Sequence, residues 1–184
     1  MSKAAASFTE LVTLLQERFG AAVVLGTDEA GMPPAVLIAP EAIAEVCRFL
    51  YEAEQTYFDL LSCITGLDNG PEAGTMEVIY NLYSIPYNQH LMLKVVLPRN
   101  LPGKALPLVP SVSSIWRTAN WHEREIFDLV GIHFAEHPDL RRILLPEDWE
   151  GHPLRKDYRE QEYYHGIWVR YGQERLEDGQ GKQQ

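Results

Sequence analysis

A chain of 184 residues, 46% apolar and 23% charged, has the make-up of one globular domain long enough to bury a sizeable core. Its formal net charge of −10, from 16 Lys and Arg against 26 Asp and Glu, argues against a binder of nucleic acid or anionic lipid, which has to present a positive face. No apolar run approaches the ~20 residues that cross a bilayer, and the N-terminal residues lack the apolar centre of a signal peptide, so a cytoplasmic location is expected.

In chain order, Phe8, Leu11, Val12, Leu15 and Phe19 recur at helical spacing, and Gly20 ends the run as a C-cap glycine does. Residues 23–25 and 35–39 read as short strands of a hairpin around the turn-rich stretch 27–34. Pro40 opens a second helix whose inner face is Ile43, Val46, Cys47 and Leu50. Three more strands are predicted at 57–67, 76–84 and 90–97. In the last, Leu91, Leu93 and Val95 alternate with Met92, Lys94 and Val96. Short connections favour antiparallel pairing.

Across 97–110, Pro98, Pro102, Pro107 and Pro110 leave no regular element. Ser111 or Ser113 then caps a helix with the inner stripe Ile115, Ala119, Ile126 and Val130, ended by Gly131. The predicted fold class is α+β, a helix-backed, mainly antiparallel mixed sheet followed by an extended, loop-rich C-terminal interface segment. The division is an α/β core over 1–110, a helix plus a partner-binding segment over 111–165, and a flexible tail over 166–184, with 173–184 disordered.

Residues 121–158 are the most informative stretch. Trp, Phe, Ile and Leu are threaded between charges, and Pro and Gly cut the run into short pieces. A solvated surface does not need so many large apolar groups, and a private core cannot hold so many charges unpaired. A segment that lies against another protein, its charges paired across the contact, is the expectation.

Catalytic signals are nearly absent. His122-Glu123 begins a metalloprotease helix, but the second His should stand at 126, where Ile126 is found. A zinc site from His122, His133, His137 and His152 has no recognised ligand spacing. Glu123, Glu125 and Asp128 resemble a paired-carboxylate site, yet an Arg124 fork satisfying them is commoner. Arg141-Arg142 and Arg155-Lys156-Asp157 read as salt-bridge networks before anion sites. Cys47 and Cys63, without a CxxC, read as two buried thiols. No phosphate loop or nucleophile elbow is present, and no catalytic, cofactor or metal residue is predicted.

Glu123-Arg124-Glu125, Asp128, Gly131-Ile132, the run His137-Pro138-Asp139-Leu140-Arg141-Arg142 and the run Gly151-His152-Pro153-Leu154-Arg155-Lys156-Asp157-Tyr158 together resemble the signature of the C-type subunit of bacterial NADH–quinone oxidoreductase, the thirty-kilodalton subunit of respiratory complex I. The resemblance is dense over 109–158. One departure is Glu136, where the family pattern has a Gly before the His-Pro pair.

The resemblance implies a structural and assembly subunit of the peripheral arm, on the cytoplasmic face of the bacterial inner membrane, packed near the quinone-proximal electron path. No flavin, iron–sulfur cluster or quinone site would belong to this chain, because FMN and the clusters would sit in partner subunits. Its partners would chiefly be the D-type subunit and the ferredoxin-like I-type subunit. The equivalent subunit of a membrane-bound hydrogenase is the runner-up, and a stand-alone zinc hydrolase a distant third.

Partner-facing residues are expected at Trp121, Glu123, Arg124, Asp128, Phe134, His137, Arg141, Arg142, Leu144, Trp149, Arg155, Lys156, Asp157 and Tyr158. Within that set Arg141, Arg142, Arg155 and Lys156 meet acidic or carbonyl groups, and Trp121, Phe134, Leu144 and Trp149 supply apolar anchors. Loss of Arg142 is accordingly expected to lower assembly.

Overall fold

The computed structural model describes residues 6–169. Helix α1 (Phe8–Phe19) starts at a reciprocal cap, in which the Ser7 backbone N–H donates to Glu10 and the Glu10 N–H donates to the Ser7 hydroxyl. Strands β1 (Val24–Asp28) and β2 (Ala35–Ile38) form the expected antiparallel hairpin. Pro40 opens a single 3-10 turn over Pro40–Ala42 before α2 (Ile43–Glu52), whose buried residues are the four expected ones, Ile43, Val46, Cys47 and Leu50.

Strands β3 (Leu60–Asp68), β4 (Thr75–Ser84) and β5 (Gln89–Pro98) follow as an antiparallel meander. The sheet order is β1-β2-β5-β4-β3, with β2 and β5 parallel. That one parallel contact needs a long crossover, and α2, β3 and β4 supply it. The alternation in β5 holds. Leu91, Leu93 and Val95 join α1 and α2 in the core, while Lys94 faces the other side and pairs with Asp28 at 2.5 Å and Glu77 at 3.5 Å.

Beyond β5 the expectation of no regular element is overturned. Strand β6 (Leu108–Pro110) pairs in parallel with β7 (His133–Ala135). Burying Val109 and Phe134 at 0% and 1% exposure drives this pairing, and Pro110 is tolerated because it ends its strand.

Helix α3 (Ala119–Leu129) also begins later than its expected serine cap, at Thr118, and has no side-chain cap bond. Ser111 and Ser113 bond each other at 2.8 Å, and Ser111 is engaged elsewhere. Gly66 lets α3 approach β3, since a Cβ there would stand 2.6 Å from Ile126. The predicted tail starts at residue 166. Strands β8 (Tyr163–Tyr164) and β9 (Ile167–Trp168) form a small hairpin, and the rest of that tail, 170–184, lies outside the described residues.

Glu136 occupies the left-handed region, with φ +62°, the backbone angle for which the family's glycine is suited. Glu136→Gly is therefore expected to stabilise the fold by about 1 kcal/mol, raising Tm by about 2–4 °C in a chain of this length. A thermal melt checks it, and an unchanged or lowered Tm would mean the angle carries no strain.

Candidate functional site

The C-terminal ribbon after β7 wraps back over the end of α3. A helix leaves its last four carbonyls without intrahelical donors, and here the ribbon supplies donors to three of them and to the Gly131 carbonyl just beyond. His152 Nδ1–H donates to the Asp128 carbonyl at 2.9 Å and the Leu154 N–H to the Leu129 carbonyl at 2.8 Å. Arg155 then reaches the carbonyls of Val130 and Gly131 through Nε and Nη2, at 2.8 and 2.9 Å. Cationic groups at a helix C-terminus also oppose its dipole. Gly131, at φ +77°, fits only as glycine, because a Cβ would stand 2.5 Å from the His152 ring and 2.8 Å from Arg155.

Asp128 is the centre of this clasp. Its Oδ2 accepts three successive backbone N–H groups, from Ile143 at 3.0 Å, Leu144 at 2.8 Å and Leu145 at 2.9 Å. Arg142 Nη1 donates to Oδ1 at 2.7 Å, and Arg142 Nη2 continues to the carbonyls of Trp149 and Gly151 at 2.9 and 3.0 Å. Burial alone would raise the Asp128 pKa, but the three N–H groups and Arg142 outweigh it and hold the carboxyl below its ordinary value.

A second clasp ties the ribbon to the sheet. Arg99, at the end of β5, donates through Nε to Asp68 Oδ1 at 2.7 Å and through Nη2 to Asp157. Asp68 also accepts the Lys156 N–H at 2.8 Å. The Asp68 side chain is fully buried and that of Arg99 is 6% exposed.

A third polar group lies inside α3. Glu123 is fully buried, accepting the Val112 N–H at 2.7 Å and the Ser111 hydroxyl at 2.6 Å. Burial pushes its carboxyl up to about 7 despite those two bonds, which favour the charged form. His137 encloses the other side. Its Nδ1 accepts the Asp139 N–H, so Nε2–H donates to the Asn120 carbonyl at 3.1 Å.

A carboxyl that binds its proton more tightly when folded adds stability that is complete below the unfolded pKa and is lost as pH rises to about 7. Glu123→Gln keeps the acceptor and removes the titration. We expect the wild type, relative to this variant, to lose about 3 kcal/mol between pH 4.5 and 7, the equivalent of that pKa shift. Denaturant melts across that range read the difference, and parallel curves would contradict it.

The fourteen residues expected to face a partner divide into two groups. Glu123, Asp128 and Phe134 are buried within the chain, the His137 side chain is enclosed, and Arg142 is spent on internal bonds. Their assignment to an outer contact is corrected: the charges are paired within this chain, by its backbone and by one another. Arg124 bonds the carbonyls of Arg141 and Arg142 and lies 5.7 Å over the Trp121 ring. Trp149 donates to the Tyr158 hydroxyl at 3.1 Å.

Outward-facing are Trp121 and Leu144, at 65% and 62% exposure, with Arg141, Lys156 and Asp157. Asp68 and Arg99 escaped the sequence reading because no local pattern marks partners that lie 88 and 58 residues from theirs. Cys47 is buried as expected, whereas Cys63 is partly exposed. His122, His133, His137 and His152 are not gathered, and no group of three or more His, Cys, Asp or Glu among the described residues could hold a metal ion. The zinc-hydrolase reading therefore loses its ligand set.

A family model described as the respiratory-chain NADH dehydrogenase 30 Kd subunit matches residues 36–164. The C-type subunit of NADH-quinone oxidoreductase from Chloroherpeton thalassium is 43% identical over 159 residues, covering 86% of this chain and 63% of that protein. Against that relative the chain thus spans less than two thirds of the length. The C-type subunit from Chlorobium phaeobacteroides is 40% identical over 159 residues, covering 86% of this chain and 92% of that protein. The second C-type subunit of Rhizobium etli is 47% identical over 145 residues, covering 78% and 73%. Among solved structures, a chain of the membrane-bound sulfane sulfur reductase, an archaeal respiratory membrane complex, superposes with a TM-score of 0.65 at 26% identity, covering 82% of this chain and 85% of that one.

Proposed function

The chain belongs to the family of the respiratory-chain NADH dehydrogenase 30 Kd subunit, that of the C-type subunit of NADH-quinone oxidoreductase, and from that premise we propose that it is a non-catalytic structural subunit of the peripheral arm of complex I. It packs beside the quinone-proximal electron path on the cytoplasmic face of the membrane, chiefly against the D-type and ferredoxin-like I-type subunits. FMN and the iron–sulfur clusters belong to its partners. None of the helices among the described residues is long and apolar enough to cross a membrane, in keeping with attachment through those partners.

One observation carries this reading. Two ribbon guanidinium groups, Arg142 and Arg155, are bonded to Asp128 and to the carbonyls at the end of α3, and Asp157 is bonded to Arg99, so an extended segment without its own core is held in place. Turned outward are Trp121 on α3 and Leu144 on the ribbon, with Arg141 between them in sequence, and Trp and Arg are side-chain types that anchor interfaces. Electron tunnelling requires clusters at fixed separations, and a braced wedge between cluster-bearing subunits maintains them.

The test is a gentle-detergent pull-down from native membranes, with the copurifying subunits identified. Cluster-bearing subunits and quinone reductase activity are expected with the wild type. The Trp121→Ala, Leu144→Ala double variant should recover at least about tenfold less complex, while its isolated fold persists because both side chains lie mostly in solvent. A chain that purifies alone and converts a substrate unaided would refute the proposal. The archaeal relative of like fold supports a second reading, the same structural role in a complex with other electron donors and acceptors; the copurifying subunits separate the two.

A further inference from the structure

A cleft of about 320 Å³ on the ribbon, distinct from the outward pair Trp121 and Leu144, is lined by the donors Arg155, Arg159 and Gln161 among other polar groups. Arg155 forms part of its wall with Nε and Nη2 committed to backbone carbonyls, and no carboxylate pairs with it among the described residues. Arg159 stands exposed at the same cleft, also with no ion pair among them. The Gln161 Nε2 is buried with no acceptor among the described residues. His152 has its Nδ1–H on the Asp128 carbonyl, and burial lowers its pKa.

Two acids line the cleft as well. Asp157 is already held by Arg99, and Glu150 is exposed. Two guanidinium groups and a buried amide therefore face at most one uncommitted carboxylate. Buried donors are rarely left without acceptors, and the half-buried Arg155 guanidinium shares its nearby counter-charges, Asp68 and Asp157, with Arg99.

We propose that this cleft receives the side chain of an Asp or Glu from a neighbouring polypeptide of the assembly, its carboxylate accepting from Arg155, Arg159 and Gln161. The inference rests on the assembly role proposed above and adds a definite chemistry of contact to it. A docked protein segment suits the site better than a free polyanion does. The chain's net charge of −10 repels dissolved anions at long range, whereas a carboxylate on a docking surface arrives with other contacts to offset that repulsion.

The test uses the intact complex purified with this chain in place. Arg159→Lys puts a primary amine at the cleft, and zero-length carbodiimide coupling followed by peptide mass spectrometry reports which carboxylate touches it. The expected result is a cross-link from position 159 to an Asp or Glu of another subunit. In addition, Arg159→Gln should make the chain leave the complex about tenfold faster in a high-salt wash. Cross-links only to this chain's own acids, or none, in a complex that still contains the chain would overturn the cleft assignment and leave the assembly role standing. An unchanged rate of salt release would overturn it equally. Absence of the chain from any respiratory complex would overturn both.

Discussion

Replacing Asp128 by Ala should cost about 3–5 kcal/mol and release the ribbon from α3. The carboxylate serves three consecutive backbone N–H groups and one guanidinium at once, and its side chain has no exposure. Its removal leaves Arg142 without a counter-charge and the amides of Ile143, Leu144 and Leu145 without acceptors. Hydrogen exchange checks where the damage falls. Protection should vanish at those amides and at the Leu154 N–H, while β4 and β5 keep theirs.

The same carboxyl has a pH signature. Because its folded pKa lies below the ordinary value, its stability is present above the unfolded pKa of about 3.9 and is lost as pH falls through the folded value. The variant should therefore lose that part of the wild type's acid unfolding. Arg142→Ala removes the other half of the clasp, so its expected effect on assembly would pass through a loosened ribbon. A loss of stability under 1 kcal/mol for Asp128→Ala would mean that the ribbon is held by apolar packing alone.

The second large effect is expected at Arg99→Met, about 3 kcal/mol by chemical denaturation. Met keeps most of the stem but leaves Asp68 buried, with only the N–H groups of Lys156 and Gly70 to serve it. Burial, the largest influence on Asp68, then prevails and its depressed pKa should rise. Adding Asp68→Leu removes the stranded charge, and the double variant should recover part of the loss, since an apolar pair of similar volume dispenses with the desolvation of two ions. If the double variant is no more stable than Arg99→Met, the coupling between these two residues is not what joins ribbon to sheet.

Much of the fold was legible in local pattern. The alternation of Leu91, Leu93 and Val95 and the stripe Ile43, Val46, Cys47 and Leu50 each follow from one period and one buried face, and the structure buries them as read. The helix after the prolines was legible too, but its most telling member was assigned to an outer contact. Glu123 falls in the stripe Ala119, Ile126 and Val130, and an acid at such a position marks a buried polar contact. The pairing of β6 with β7 left little trace, because three-residue strands are too short to show a period and proline conceals them.

The ribbon marks the boundary between what the chain determines locally and what folding decides. Its composition alone required that many charges be paired and many apolar groups be covered, and the order of its motifs was enough to place it in its family. Whether those charges are paired across a contact or within the chain depended on where the end of α3 falls relative to 142–157. Only the tertiary arrangement, which brings Asp128 under three amides and Arg99 against Asp157, could decide that. A carboxylate takes whichever donors surround it, and nothing in sequence spacing specifies donors that the fold delivers from elsewhere.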